Sequence, residues 1–310
     1  MQKRGHVRWS DVDGLQRLAV DAVVGVTNLV ESVHRTVLDA PLPVGTTRGG
    51  RTTGITGFVY RSVRGVTRAV GAGTDAVFGR LAANGGNAAS SDEREAVLAV
   101  LNGVFGDHLA ATRNPLAIEM GVRKAGISVA LTRAALSSAF PDRRRNLVVL
   151  LHGLCMSDLM WRREGHDHGA SLARDLPVTP VYVHYDTGRH VAENGRDLDA
   201  RMQALVEQWP DVIERIVIVG HSMGGLVARS AIESASRHAQ SWTARVDSVV
   251  FLGTPHNGAP LERAGAWVDY LLGISPYTAP FARLGKLRSA GIRDLHKRST
   301  ILGVIQPRTR

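Results

Sequence analysis

Five consecutive residues, Gly220-His221-Ser222-Met223-Gly224, have the types and the spacing that acyl transfer requires. A serine becomes a usable nucleophile when a tight, strained turn holds its hydroxyl clear of a sheet. Glycines must then flank it, because a Cβ at Gly220 or Gly224 would strike the neighbouring strand and helix. The β-branched run Ile216 to Val219 precedes the turn and helix-compatible sequence from Leu226 to Ala231 follows it. A helix beginning here points free N–H groups at the site, where a developing oxyanion is stabilised. A second piece, His152-Gly153-Leu154-Cys155-Met156, ends another apolar run. The N–H of Leu154 and that of Met223 are the expected pair of oxyanion donors.

The remaining candidates weigh less. Gly253-Thr-Pro-His-Asn-Gly258 ends a further apolar run, and His256 invites a role as base. Where a G-x-S-x-G serine is used, the order is serine, acid, then histidine from a loop after the last strand. His256 comes one strand too early for that order, so it is expected to line the site. His221, inside the elbow, is expected to orient the turn. Cys155 has no base assigned to it and is expected to pack as a small apolar residue. His166, His168, His184 and His190 lie in a histidine-rich middle. Their spacing fits no zinc pattern, so no metal is expected, and caps and loop hydrogen bonds are the expected use.

These groups need elements to hold them. Asn146–His152, Thr179–His184, Ile216–Val219 and Val246–Leu252 read as strands, with helical segments at about 168–175, 195–209 and 224–239. Strands alternating with helices predict a parallel sheet with right-handed crossovers. Before residue 141 the pattern is helical. Residues 9–39, roughly 54–82, a stretch from Asp92, and about Pro115 to Phe140 are the expected helices.

Composition narrows the function. The chain of 310 residues has 21% charged and 44% hydrophobic residues, ordinary for a globular protein. A single cysteine excludes an internal disulfide framework. With no leader-like apolar run near Met1, a cytoplasmic location is expected. The net charge of +10 concentrates in residues 1–145, where 19 Lys and Arg face 12 Asp and Glu. The arginines are scattered and no nucleic-acid module is recognisable, so nucleic acid is not an expected partner. Basic positions Arg61, Arg64, Arg68 and Arg80 along 54–82 leave peripheral membrane contact open, beside ordinary helix packing.

In their order, His152-Gly153, Gly220-His-Ser-Met-Gly-Gly225 and Gly253-Thr-Pro-His256 resemble the lipase-like α/β-hydrolases, including the PGAP1-like esterases and bacterial members with a helical N-terminal extension. The resemblance covers about 146–296. It implies an α/β-hydrolase fold: a mostly parallel sheet with flanking helices, residues 141–310, preceded by an all-helical region, 1–140. It also implies hydrolysis of a small-molecule or lipid ester without a cofactor, with Ser222 attacking and a histidine held by an acid taking its proton. Trp267, Tyr270, Leu271, Leu272, Tyr277 and Phe281 fall where such enzymes often carry a cap over the pocket, with packed scaffold as the alternative use of the segment. After Gly258 one strand candidate remains, Thr300–Ile305, and Asp294 and His296 lie too close together for separate strand-end loops. The chain thus reads as a C-terminally shortened hydrolase lacking the triad acid and base. The alternative is a non-catalytic protein that binds a lipid or a partner on the same scaffold.

Overall fold

The computed structural model describes residues 8–38, 91–163 and 165–256. The expected stretch at 54–82 and the segment after His256, with its cap residues, Asp294 and His296, lie outside the described residues. The chain divides into two units. Helix α1 (Trp9–Leu38) and residues 114–116 belong to one; residues 91–113 and 117–256 belong to the other. At the start of α1, the Asp11 carboxylate accepts the N–H of Arg8 at 2.9 Å. No helix among the described residues is long and apolar enough to cross a membrane.

Among the described residues the larger unit is built on a six-stranded sheet. Its strands are β1 (Gly121–Lys124), β2 (Ile127–Val129), β3 (Asn146–Leu151), β6 (Val178–His184), β7 (Arg215–His221) and β8 (Val246–Leu252), in the order β2-β1-β6-β3-β7-β8. The last four run parallel, with β3 between β6 and β7, while β1 pairs antiparallel with both β2 and β6. A separate short hairpin joins β4 (Arg162–Arg163) to β5 (His166–Asp167). Its helices among the described residues are α2 (Asp92–Ala111), α3 (Arg133–Ala139), α4 (His168–Asp175), α5 (Val191–Gln208) and α6 (Met223–Arg237).

The apolar run of β3 is buried from Leu147 to Leu151 because both faces of the sheet are covered. Leu147, Val149 and Leu151 join Val181, Ile216 and Ile218 under α5 and α6, where Leu198, Met202, Val227 and Ala231 close the main core. Val148 and Leu150 face the opposite way, onto Trp161, Tyr182 and Val219. Helices α5 and α6 approach closely at Gly195, where a Cβ would lie 2.2 Å from Ser230 Oγ. Burying a residue of leucine or valine size contributes about 1.5–3 kcal/mol, so this two-sided core fixes the strand ends that carry the site.

Among the described residues one expected element is not formed. The helix expected from Pro115 to Phe140 is replaced by the β1–β2 hairpin and the short helix α3. Ala125 (φ 54°) and Gly126 (φ 79°) take left-handed conformations, giving the two-residue turn that a tight hairpin requires. Arg123 then pairs with Tyr182 of β6, and Val122 is buried in the core. Long-range pairing has overridden the local helical pattern, and only the alanine-rich end, capped by Thr132 Oγ1 on the Ala135 N–H, stays helical. The sheet therefore draws strands from before residue 141.

Helix α2 packs on the loops that follow β3 and β6. A Cβ on Gly103 would lie 2.3 Å from Cys155 Sγ, and one on Gly106 would lie 1.9 Å from Asp186 Oδ1. A Cβ on Gly188 would lie 2.0 Å from the Asn102 carbonyl oxygen. Backbone meets backbone here, which only glycine permits.

Candidate active site

Ser222 sits between the end of β7 and the first residue of α6, at φ 52° and ψ −119°. A non-glycine residue in that region is strained, and the strain is held by its surroundings. Its N–H donates to the Leu252 carbonyl at 2.8 Å, tying the turn to the end of β8. At Gly220 a Cβ would come within 2.6 Å of Gly225 Cα; at Gly224 one would lie 2.5 Å from the Leu151 carbonyl oxygen. These are the collisions expected from the motif, and they are with backbone that cannot swing away. The Ser222 side chain is fully buried, and its Oγ has no hydrogen-bond partner among the described residues. Met223 opens α6, so its N–H has no acceptor within its own helix.

The loop after β3 lies against this turn. A Cβ on Gly153 would stand 3.2 Å from Ser222 Cβ and 3.0 Å from His221 Nδ1. His152 fixes the loop from beneath. Its Nδ1 bonds the Gly153 carbonyl at 3.0 Å, and its Nε2 accepts the Tyr185 N–H at 3.3 Å. These partners assign the proton to Nδ1. The Tyr185 hydroxyl donates to the His152 carbonyl at 2.6 Å, and the two rings stack at 4.3 Å. The Gly153 carbonyl also accepts the Met156 N–H at 3.2 Å. In a trans peptide the carbonyl and the next N–H point in opposite directions, so holding the Gly153 carbonyl aims the Leu154 N–H the other way. Burial pulls the His152 pKa down to about 4, against the Gly153 bond, which raises it. A neutral imidazole with both nitrogens engaged holds the loop; it does not take a proton from Ser222.

The other histidines and the cysteine are also committed. His256 Nδ1 accepts from Arg229 Nη1 at 2.9 Å, and its ring meets Phe251 edge-on at 4.5 Å. Burial, and then the Arg229 charge, lower its pKa. His221 is half-buried, edge-on to Trp161 at 6.4 Å, and burial lowers its pKa. His168 Nδ1 bonds the Trp161 carbonyl at 2.9 Å, and His166 meets the His168 ring edge-on. Burial pushes the Cys155 thiol up to about 12, while its N–H donates to Thr187 Oγ1 at 3.1 Å. It is therefore a poor nucleophile.

Beside this site stands a buried ionic cluster that one-dimensional reading missed. Arg123 Nη1 bonds Glu95 Oε2 at 2.5 Å and Asp158 Oδ1 at 3.0 Å. His184 Nδ1 lies 3.4 Å from the same Asp158 oxygen, and the His184 ring faces that of His152 at 5.6 Å. Its members come from α2, β1, the 3-10 turn Asp158–Trp161 and the end of β6, so no local motif announces it. Glu95, Asp158 and His184 offer ligand atoms within 4.8 Å of one another, a donor set that suits a divalent cation in type. The guanidinium of Arg123 stands between the two carboxylates and already supplies the positive charge. Burial lowers the His184 pKa further, helped by Arg123, and raises that of Asp158 against the pull of Arg123.

Asp186, in the loop after β6, carries a testable signature. Its Oδ1 accepts the Gly188 N–H at 2.9 Å, and its Oδ2 is buried with no hydrogen-bond partner among the described residues. Burial pushes its pKa up to about 7, opposed by the Gly188 bond and Arg189. The folded chain thus keeps a proton that the unfolded chain releases near pH 3.8. Its contribution to stability is full below that pH and is lost as pH rises through about 7. At roughly 1.4 kcal/mol per unit the swing is a few kcal/mol. Asp186→Asn should therefore gain on the native protein in urea denaturation between pH 5 and pH 8. An unchanged difference across that range would contradict a protonated Asp186.

Residues 146–279 match the family model described as PGAP1-like alpha/beta domain. Solved structures similar to the chain include two of Bacillus licheniformis lipase BlEst2. The propeptide form is 22% identical with a TM-score of 0.36, the match covering 48% of this chain and 29% of that one. The mature form is 21% identical with a TM-score of 0.35, over 48% of this chain and 54% of that one. The chain thus spans less than two thirds of either lipase. No curated protein sequence matches it. The mostly parallel sheet with flanking helices, together with the matched domain, is an α/β-hydrolase fold.

Proposed function

We propose that this PGAP1-like α/β-hydrolase domain cleaves carboxylic esters, of small molecules or lipids, with Ser222 as the nucleophile. The observation that carries the reading is Ser222 at φ 52° at the tip of the β7–α6 turn, against the loop of His152 and Gly153. Binding alone needs no strained serine. In the reaction Ser222 Oγ forms a bond to the ester carbonyl carbon, and the carbonyl electron pair moves onto oxygen. The N–H groups of Leu154 and Met223 bind that oxyanion, each donor contributing on the order of 3 kcal/mol to the transition state. The pair then re-forms the carbonyl, the bond to the alcohol oxygen breaks, and the alcohol leaves with the proton that Ser222 gave up. Water releases the acyl group by the same steps in reverse.

A second reading has its own observation. The Ser222 hydroxyl lacks a partner among the described residues, and His152 and His256 are engaged elsewhere. A serine with no base is a weak nucleophile, and the scaffold would then bind an acyl ligand or a partner without cleaving it. A fluorophosphonate probe separates the two on folded chain. Labelling that vanishes in Ser222→Ala is the expected result and means an activating base is present. A folded protein that does not label would transfer the lead to the binding reading.

A further inference from the structure

At the end of the sheet opposite Ser222 lies a cavity of about 480 Å³. Its walls are the start of β6 (Val178, Thr179, Pro180), the segment entering β3, the end of β1 and the outer side of α4. Ser222 follows the carboxyl end of β7, so this is a separate site. The lining carries Lys124, Arg143, Arg144, Arg162 and Arg174 against only Asp142 and Asp167.

Acids offset part of that excess and leave Arg144 and Lys124 without an ionic partner among the described residues. The Asp167 carboxylate is spent locally: it accepts from the Tyr182 hydroxyl, from the Ala170 N–H at 2.9 Å and from Arg162 Nε at 3.0 Å. Arg143 pairs with Asp211 at 2.7 Å, and Arg174 with its neighbour Asp175 at 2.8 Å. The Arg174 pair is exposed to water, where such pairs are worth little and exchange readily. Lys124 donates to the Ala139 carbonyl and lies over the Phe140 ring at 5.0 Å. Arg144 is held by its backbone, whose N–H donates to Thr179 Oγ1 at 2.6 Å. Its exposed guanidinium makes no hydrogen bond or ion pair among the described residues. Beneath the cations the floor is apolar, formed by Phe140, Ala170, Ala173, Val178 and Pro180.

We propose that this cavity binds an organic anion, a phosphate or carboxylate head on a hydrocarbon body, with Arg144 and Arg174 at the head and the Phe140–Val178–Pro180 floor on the body. Guanidinium groups suit such heads because their N–H donors match two oxygens at once. The proposal stands whether or not Ser222 is catalytic.

The test is calorimetric titration of the full chain with decyl phosphate below its micelle concentration, beside inorganic phosphate and vesicles containing phosphatidic acid. Binding of decyl phosphate should weaken at least about tenfold in Arg144→Glu/Arg174→Glu and fall with added salt. Both arginines are exposed, and an unchanged melting temperature would show that the fold is intact. Inorganic phosphate should bind at least about tenfold more weakly, because it makes no use of the floor. Equal affinity in the charge-reversed variant, or no binding, would overturn the proposal. Inorganic phosphate binding as tightly as decyl phosphate would remove the role of the floor and overturn it too. Vesicle binding without decyl phosphate binding would make the face a membrane contact and overturn the cavity.

Discussion

Gly224→Ala is expected to slow the reaction of Ser222 with a fluorophosphonate by at least about a hundredfold. The added methyl group would sit 2.5 Å from the Leu151 carbonyl oxygen and 2.6 Å from that of His152. Both are backbone atoms at the end of the central strand, so the turn must move instead of its neighbour. A displacement on the order of 1 Å takes Ser222 and the Met223 N–H away from the loop of His152 and Gly153. Gly121→Ala is the control, because a Cβ there meets nothing within 4 Å. It should leave both reaction and folding unchanged. Should the two variants label at the same rate, the close approach of the elbow to β3 would not matter for chemistry.

Arg123→Met should cost the fold about 3–5 kcal/mol, read from urea denaturation at neutral pH. The guanidinium is the shared partner of Glu95 and Asp158, whose side chains are both almost fully buried. Removing it leaves two carboxylates facing each other out of water. Against a total stability of about 5–15 kcal/mol for a domain, much of the margin goes. The triple replacement Arg123→Met, Glu95→Gln and Asp158→Asn removes the charges together and should recover a large part of the loss. A triple variant no better than the single one would locate the cost in packing around Arg123 and not in the stranded charges.

What could be read in advance follows from where each signal lies in the chain. The elbow was legible because five adjacent residues hold all of it, and the strain at Ser222 is the reason for that local grammar. Strands β3, β6 and β7 were legible because burial leaves uninterrupted apolar runs such as Leu147–Leu151; β8 showed the same kind of apolar run, although Val246–Leu252 is at most half-buried. The β1–β2 hairpin was not. Its turn is Ala125-Gly126, without the Asn-Gly or Asp-Gly pair that marks such turns, and its first strand is stabilised by β6, far away in sequence. The ionic cluster was hidden for the same reason. Arg123 is unremarkable until Glu95, Asp158 and His184 converge on it. His152 was legible as part of the site, but its role as a neutral brace depends on Tyr185, which no spacing rule connects to it.

The hairpin has a consequence for how the protein is made. Arg123 is synthesised about 60 residues before its partner Tyr182. At roughly 5–20 residues per second, the ribosome needs several seconds to deliver β6 after β1 has emerged. For that interval the hydrogen-bonding edge of β1 is open; Asp158 reaches Glu95 and Arg123 only part-way through it, and His184 only at its end. Slowing translation between residues 124 and 178 would lengthen the exposure of an unpaired strand, and a chaperone that holds such edges would act on this protein during synthesis and not after it.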